Sequence, residues 1–188
     1  MTENPESGSA GADLFIEGTA GIDPTSNDAA RLRFRDTLGQ FATGVTIMTM
    51  VAPSGDSMGI TVSSFNSLSL DPPLILWSIA NVSVSYEYFR VGDSFTVNVL
   101  AEDQENLAIR FSKTGEDKYQ DVKMLSGLDG VPLISGCVVY FECQVQARYP
   151  GGDHDIIVGR VRRIFNVGRA PLLFHSGALR ALGDQGKK

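Results

Sequence analysis

Cysteine is nearly absent: Cys137 and Cys143 are the two in 188 residues. They fall in a run that reads as one extended strand, where six residues span roughly 20 Å. A disulfide needs Cα atoms within about 7 Å, so these two are not expected to bridge. Both read as small core hydrophobes of a reducing compartment. Histidine is equally scarce, with His154 and His175 far apart. No Cys/His cluster has metal-ligand spacing, so no metal site is expected.

Long apolar runs are lacking too. None approaches the roughly 18 residues of a membrane span, and no basic segment followed by an apolar one opens the chain as a secretion signal would. A cytoplasmic protein is the expectation. Positive charge is in deficit, with 16 Lys and Arg against 22 Asp and Glu. That balance argues against a general binder of nucleic acid or membrane surfaces, which needs a basic face to meet phosphate. Arg160, Arg162 and Arg163 make one local basic patch, which reads either as an anion contact or as a solvated strand face. Gly-x-Ser-x-Gly, the phosphate-loop signature, zinc motifs and a strand-linked Gly-x-Gly-x-x-Gly are all missing, so a hydrolase or a Rossmann nucleotide site is not expected.

What is present suits one domain, since 43% apolar content is enough for a real core. Residues 1–27 are rich in Gly, Ser, Glu, Asp, Pro and Thr and read as a flexible tail. Ser26-Asn27-Asp28 offers a helix start. Ala30, Phe34, Leu38 and Phe41 then recur at helical spacing, with Gly44 as the stop. Strands are expected over 45–51, 58–64, 74–80, 95–100, 137–148, 154–166 and 172–174, with Pro53-Ser54-Gly55-Asp56 and Tyr149-Pro150-Gly151-Gly152-Asp153 as turns. Short helices are expected over 83–89, with serine at its start, and over 103–111; residues 115–136 read as loop-rich. Val139, Phe141, Cys143, Val145 and Ala147 alternate onto one face. Strands joined mostly by hairpins imply a mainly β, antiparallel barrel with a few covering helices.

The segment from Gly59 to Pro73 stands out, because a strand leaves there into a run of hydroxyls and one amide. Such a run can present donors and acceptors to a polar ligand edge, or it can satisfy its own backbone. Both readings stand on composition alone.

Four stretches, in order, resemble the flavin reductase-like family, the reductase components of two-component flavin monooxygenases. They are Phe34-Arg35-Asp36 with Phe41-Ala42-Thr43-Gly44-Val45-Thr46; Gly59-x-Thr61-x-Ser63-Ser64-Phe65-x-Ser67-x-Ser69-x-Asp71-Pro72-Pro73-Leu74; Ser83-x-Ser85 with Phe95-x-Val97-Asn98-Val99-Leu100; and Gly152-Asp153-His154-Asp155. The resemblance as a whole runs from about Phe34 to Leu182. The resemblance implies a six-stranded split barrel over residues 28–188 and a homodimer with flavin near the subunit interface. It implies an NAD(P)H:flavin oxidoreductase that reduces FAD or FMN with NADH and hands reduced flavin to a partner monooxygenase. A split-barrel oxidase with tightly bound FMN and a flavin-binding module without turnover are the alternatives.

Carried over by position, Thr61, Val62, Ser63, Ser64, Phe65, Asn66 and Ser67 are expected to line the isoalloxazine and ribityl chain. Ser83 and Ser85 are expected at the flavin phosphate, with Arg110, Phe111 and Ser112 bordering the phosphate or adenine. Thr46, Ala80 and Asn81 complete the expected cofactor contacts. Asn98 is either a flavin contact or a buried strand amide tying loops together. His154 resembles the family histidine beside nicotinamide and flavin; by its neighbours alone it is equally a turn residue. The chain departs from the family at two places. Asn81 stands where members often carry a basic residue, and Gly177-Ala178-Leu179 lacks the aromatic of a Gly-x-Tyr segment.

Overall fold

The computed structural model describes residues 21–115 and 117–183. The tail expected over 1–27 lies, for residues 1–20, outside the described residues. The described residues fall into two compact units, divided between Leu38 and Gly39. In the first, helix α1 spans Asp28–Leu38. Asn27 starts it: its side-chain oxygen accepts the Ala30 N–H at 2.9 Å, satisfying one of the amides a helix start leaves open. The helix stops at Leu38, before the expected Gly44, and Phe41 lies beyond it, 72% exposed.

The second unit is built from strands β1 (Thr43–Gly44), β2 (Thr46–Val51), β3 (Ser57–Val62), β4 (Asn66–Ser69) and β5 (Leu74–Ala80). Helix α2 (Tyr86–Val91), β6 (Ser94–Val99) and helix α3 (Glu105–Ser112) follow. Then come β7 (Met124–Ser126), β8 (Pro132–Ile134), β9 (Val139–Gly151), β10 (His154–Asn166), β11 (Leu172–His175) and β12 (Ala178–Ala181). The main sheet runs β3-β2-β6-β9-β10-β5-β4, every pair antiparallel. β3 and β5, at or near its two ends, approach each other, so the sheet curls into a barrel. A three-stranded sheet β1-β11-β12 and a small β7-β8 pair complete the unit.

The expected six strands become seven in the main sheet, and β4 is the one missed. Its residues are short-chained and mostly exposed, with no apolar alternation to mark a strand, yet Asn66 and Ser67 pair with Leu76 and Ile75. The stretch 115–136 is also less open than expected, because it contains β7 and β8. A single turn over Leu128–Gly130, with Asp129 left-handed at φ 56°, joins them. β3 ends at Val62, so Ser63 and Ser64 belong to the loop that follows.

Two cores explain why the central strands are so uniformly buried. Met48, Met50, Trp77, Phe95, Val97, Cys143 and Ile157 fill the barrel. Ile47, Leu100, Ala108, Phe111, Ile134, Tyr140 and Leu172 fill a second core. β2 therefore alternates between two interiors, Ile47 facing one and Met48 and Met50 the other. β9 behaves alike in its first half: Cys143 faces the barrel while Tyr140 faces the second core. The single apolar face expected there is half of the strand's burial. Both cysteines are free and buried, and burial pushes each thiol up to about 12.

Candidate functional site

Strand β3 is the floor of the site. Gly59, near its middle, admits helix α3: a Cβ there would lie 2.6 Å from the Phe111 ring and 2.8 Å from the Tyr119 hydroxyl. Without a side chain at 59 the fully buried Phe111 seats against the strand, its ring edge-on to Tyr119 at 5.0 Å. Tyr119 donates to the Met58 carbonyl at 2.8 Å, and Thr61 donates to the Ala108 carbonyl at 2.7 Å. These contacts hold α3 and the 117–119 loop along β3, and two openings border the strand.

One opening is a cleft of about 540 Å³ between β3, α3 and the β11–β12 hairpin. Thr61, Val62 and Ser63 line it with Ile109, Phe174 and Leu179. The other is a cleft of about 240 Å³, lined by Ser57–Ile60, Ser83, Ser85, Ser112, Lys113 and Lys118. Ser112 borders both clefts, and consecutive residues of β3 pass from one to the other. The two clefts thus share Ser112 and the β3 strand; the larger has an apolar wall and the smaller is rich in hydroxyls and ammonium groups.

The structure thus brings together Thr61, Val62, Ser63, Ser83, Ser85 and Ser112 of the expected contacts. Others have side chains engaged in the fold. Thr46 is buried and donates to the Val62 carbonyl at 3.1 Å. Ser64 donates to the Ser78 carbonyl and accepts the Ser78 N–H, both at 3.0 Å, tying the loop after β3 to β5. Phe65 packs on Phe141, ring centres 5.5 Å apart. Asn98, fully buried, donates to the Ile47 carbonyl at 2.9 Å and the Thr49 hydroxyl at 3.0 Å, and accepts the Ile134 N–H at 2.8 Å. Asn66 and Ser67 are exposed on β4, outside both clefts. The helix expected over 83–89 begins only at Tyr86, so Ser83 and Ser85 precede α2, and the Ser85 hydroxyl makes no capping hydrogen bond.

Ala80, Asn81 and His154 form a separate group where β5 meets β10. Ala80 pairs with His154, and the Asn81 N–H donates to the Asp153 carbonyl at 2.9 Å. His154 Nδ1 lies 2.7 Å from Asp153 Oδ1, and this hydrogen bond holds the Asp153 carboxyl below its ordinary value. The imidazole is 42% exposed and lines neither cleft of its own chain. Tyr86 donates to Asp155 at 2.7 Å, joining the start of α2 to this strand end.

Lys118, Lys113 and Glu105 were not read from the sequence as site residues, yet each lines a cleft. Lys113 and Lys118 lie outside any periodic segment, and Glu105 sits on a helix whose apolar stripe carries the visible signal. Only the folding of α3 and the 117–119 loop along β3 assigns them to the clefts.

The chain belongs to the flavin reductase like domain family, which its residues 38–183 match. It is 43% identical over 145 residues to the FMN reductase (NADH) SmoA of Agrobacterium fabrum, covering 77% of this chain and 82% of that protein. It is 36% identical over 144 residues to the reductase component of the flavin-dependent trigonelline monooxygenase of Acinetobacter baylyi. That match covers 77% of this chain and 46% of the longer relative, so the chain spans under half of that protein. Among solved structures, the NADH:FAD oxidoreductase SgcE6 of Streptomyces globisporus, in complex with NAD and FAD fragments, superposes with a TM-score of 0.82. It is 33% identical, over 90% of this chain and 100% of that one.

Proposed function

We propose that this chain is an NADH-dependent flavin reductase that accepts FAD or FMN, reduces it, and releases it to a separate monooxygenase. The observation that carries the reading is the pair of clefts along β3, which differ in chemistry. A flavin has a planar, largely apolar ring system at one end and a phosphorylated polyol at the other. Val62, Ile109, Phe174 and Leu179 suit the first, and Ser83, Ser85, Ser112 and Lys118 suit the second. The donor set therefore fits the group.

Hydride transfer from nicotinamide to flavin is chemistry that the two bound groups supply. The chain's part is to hold the rings in register and keep water out. Thr61 lines the wall with its hydroxyl tied to the Ala108 carbonyl, and the Ser64 hydroxyl is tied to Ser78, so neither donates freely. Ser63 is the exposed hydroxyl at the apolar end and is left to meet a polar ring edge. Leu179, at the position of the family aromatic, supports contact with the nicotinamide by apolar packing alone.

The working unit in this reading is a homodimer in the cytoplasm. Among the described residues no helix is long and apolar enough to cross a membrane. His154 serves the nicotinamide side in this reading; it lines neither cleft of its own chain, which favours an arrangement in which the second subunit supplies it.

Anaerobic mixing of the desalted protein with NADH or NADPH and an excess of FAD, FMN or riboflavin tests the reading. Bleaching of many flavins per chain, faster with NADH, is expected. A yellow colour that survives desalting would instead indicate the tightly bound FMN of an oxidase, and binding without bleaching would leave a flavin-binding module.

A further inference from the structure

The smaller cleft contains a cation in an unusual setting. Lys118 Nζ donates to the Gly59 carbonyl and to the Phe111 carbonyl, each at 3.1 Å. An ammonium has three N–H donors, so the two backbone bonds leave one, and Lys118 lines the cleft beside Ser83, Ser85 and Ser112. The two carbonyls belong to β3 and the last turn of α3, so the charge is held in place by the cleft's own walls. Burial also pushes its pKa below the ordinary lysine value, as expected for an ammonium partly removed from water. Such a group gains when an anion arrives. The other charged groups of the cleft are Lys113 and Asp117, and the Asp117 carboxylate accepts the Tyr119 N–H at 3.2 Å.

Resting on the flavin reductase reading, we propose that Lys118 is the specificity-determining cation of the smaller cleft, reading the flavin phosphate and so separating FMN and FAD from riboflavin. Asn81 is outside this cleft and directs its backbone N–H to Asp153. A lysine fixed by two carbonyls pays little ordering entropy when the phosphate binds, unlike one waving from the surface. The same two bonds make Lys118 a structural pin between β3 and α3, so the test must separate the two roles.

Anaerobic equilibrium titration of Lys118→Met and Lys118→Arg with FMN and with riboflavin does so, with thermal unfolding recorded for each variant. Loss of one charge-assisted hydrogen bond predicts that Lys118→Met weakens FMN binding about tenfold or more. Riboflavin binding should stay within about twofold, and Lys118→Arg should recover most of the FMN preference. An equal loss for both flavins overturns the proposal and leaves only the pin, as does an unchanged FMN-to-riboflavin ratio. Wild-type protein that binds neither flavin overturns the reductase reading together with this inference. Wild-type binding with an unaltered ratio in Lys118→Met overturns the lysine's role alone.

Discussion

Single atoms set the clefts. Gly59 has no side chain, and the 2.6 Å that would separate a Cβ from the Phe111 ring is far inside van der Waals contact. Gly59→Ala must push Phe111 or the strand aside, and small-to-large changes in a packed site cost roughly 1–3 kcal/mol. The expected result is a lower urea midpoint with an unchanged slope, together with weaker flavin binding, because α3 forms a wall of both clefts. Unaltered stability would mean that Phe111 does not rest on β3 as described. Asn98 illustrates the opposite economy of a buried polar group. Its carboxamide bridges β2 to the strand segment at Ile134, and with Thr49 it satisfies backbone that would otherwise be buried without partners.

At the scale of elements, the β9–β10 hairpin carries the architecture. Its two long strands pair from the Gly151–His154 end to Val139–Asn166, with register shifts at Val158/Gly159 and between Val161 and Arg163. Gly159 is required where β10 first breaks register, since a Cβ there would meet the Phe95 ring at 2.5 Å. The second break lets Arg163 reach back to Glu142, whose side chain is only 2% exposed. Arg162 donates to Gln144 at 2.8 Å on the exposed side. Of the basic patch at 160–163, these two arginines are thus occupied within the hairpin. Burial raises the Glu142 pKa, but hydrogen bonds from Arg163 and from the Leu128 N–H outweigh it and hold the carboxyl below its ordinary value.

The sign of the linkage follows from that direction. A carboxyl depressed in the folded state stabilises above its unfolded pKa, and the contribution fades as pH falls through the folded value. Glu142→Gln should therefore be less stable than wild type near neutrality. The gap should close as the pH is taken well below the ordinary value of 4.5. Urea unfolding of both proteins across that range measures it, and a gap that stays constant with pH would remove Glu142 from the acid response.

At the scale of the molecule, His154 lines neither cleft, although Ser83 of the smaller cleft donates its N–H to the carbonyl of Ala80, the residue paired with His154. The clefts lie along β3, whereas His154 sits at the β5–β10 end with Asp153, Asp155 and Tyr86. If the homodimer unites them, each active site draws on two subunits. His154→Ala chains should then be slow with NADH yet retain flavin binding. Mixed with chains carrying Ser83→Ala and Ser85→Ala at limiting FMN, they should regain turnover through heterodimers that hold one intact pair of clefts and one intact histidine. No recovery after verified subunit exchange would place the histidine's action, if any, within its own chain.

Local propensities and the available chemistry were legible in the residues alone. The alternating apolar strands, turn residues and ordered motifs specify an antiparallel β unit of the flavin reductase like family, and the strands at 74–80 and 154–166 have the ends read from the residues. These features are local, set by side-chain period and turn geometry. Tertiary structure decided what each polar group is for. Of the hydroxyl run after Gly59, Thr61 and Ser63 line the larger cleft, while the hydroxyls of Thr61 and Ser64 are tied to backbone. β4 exists because β5 offers it an edge to pair with. Lys118 becomes a cleft cation only because α3 and β3 present two carbonyls to it. Hydrogen-bond partners distant in sequence leave no periodic trace, so their assignment waits on the fold.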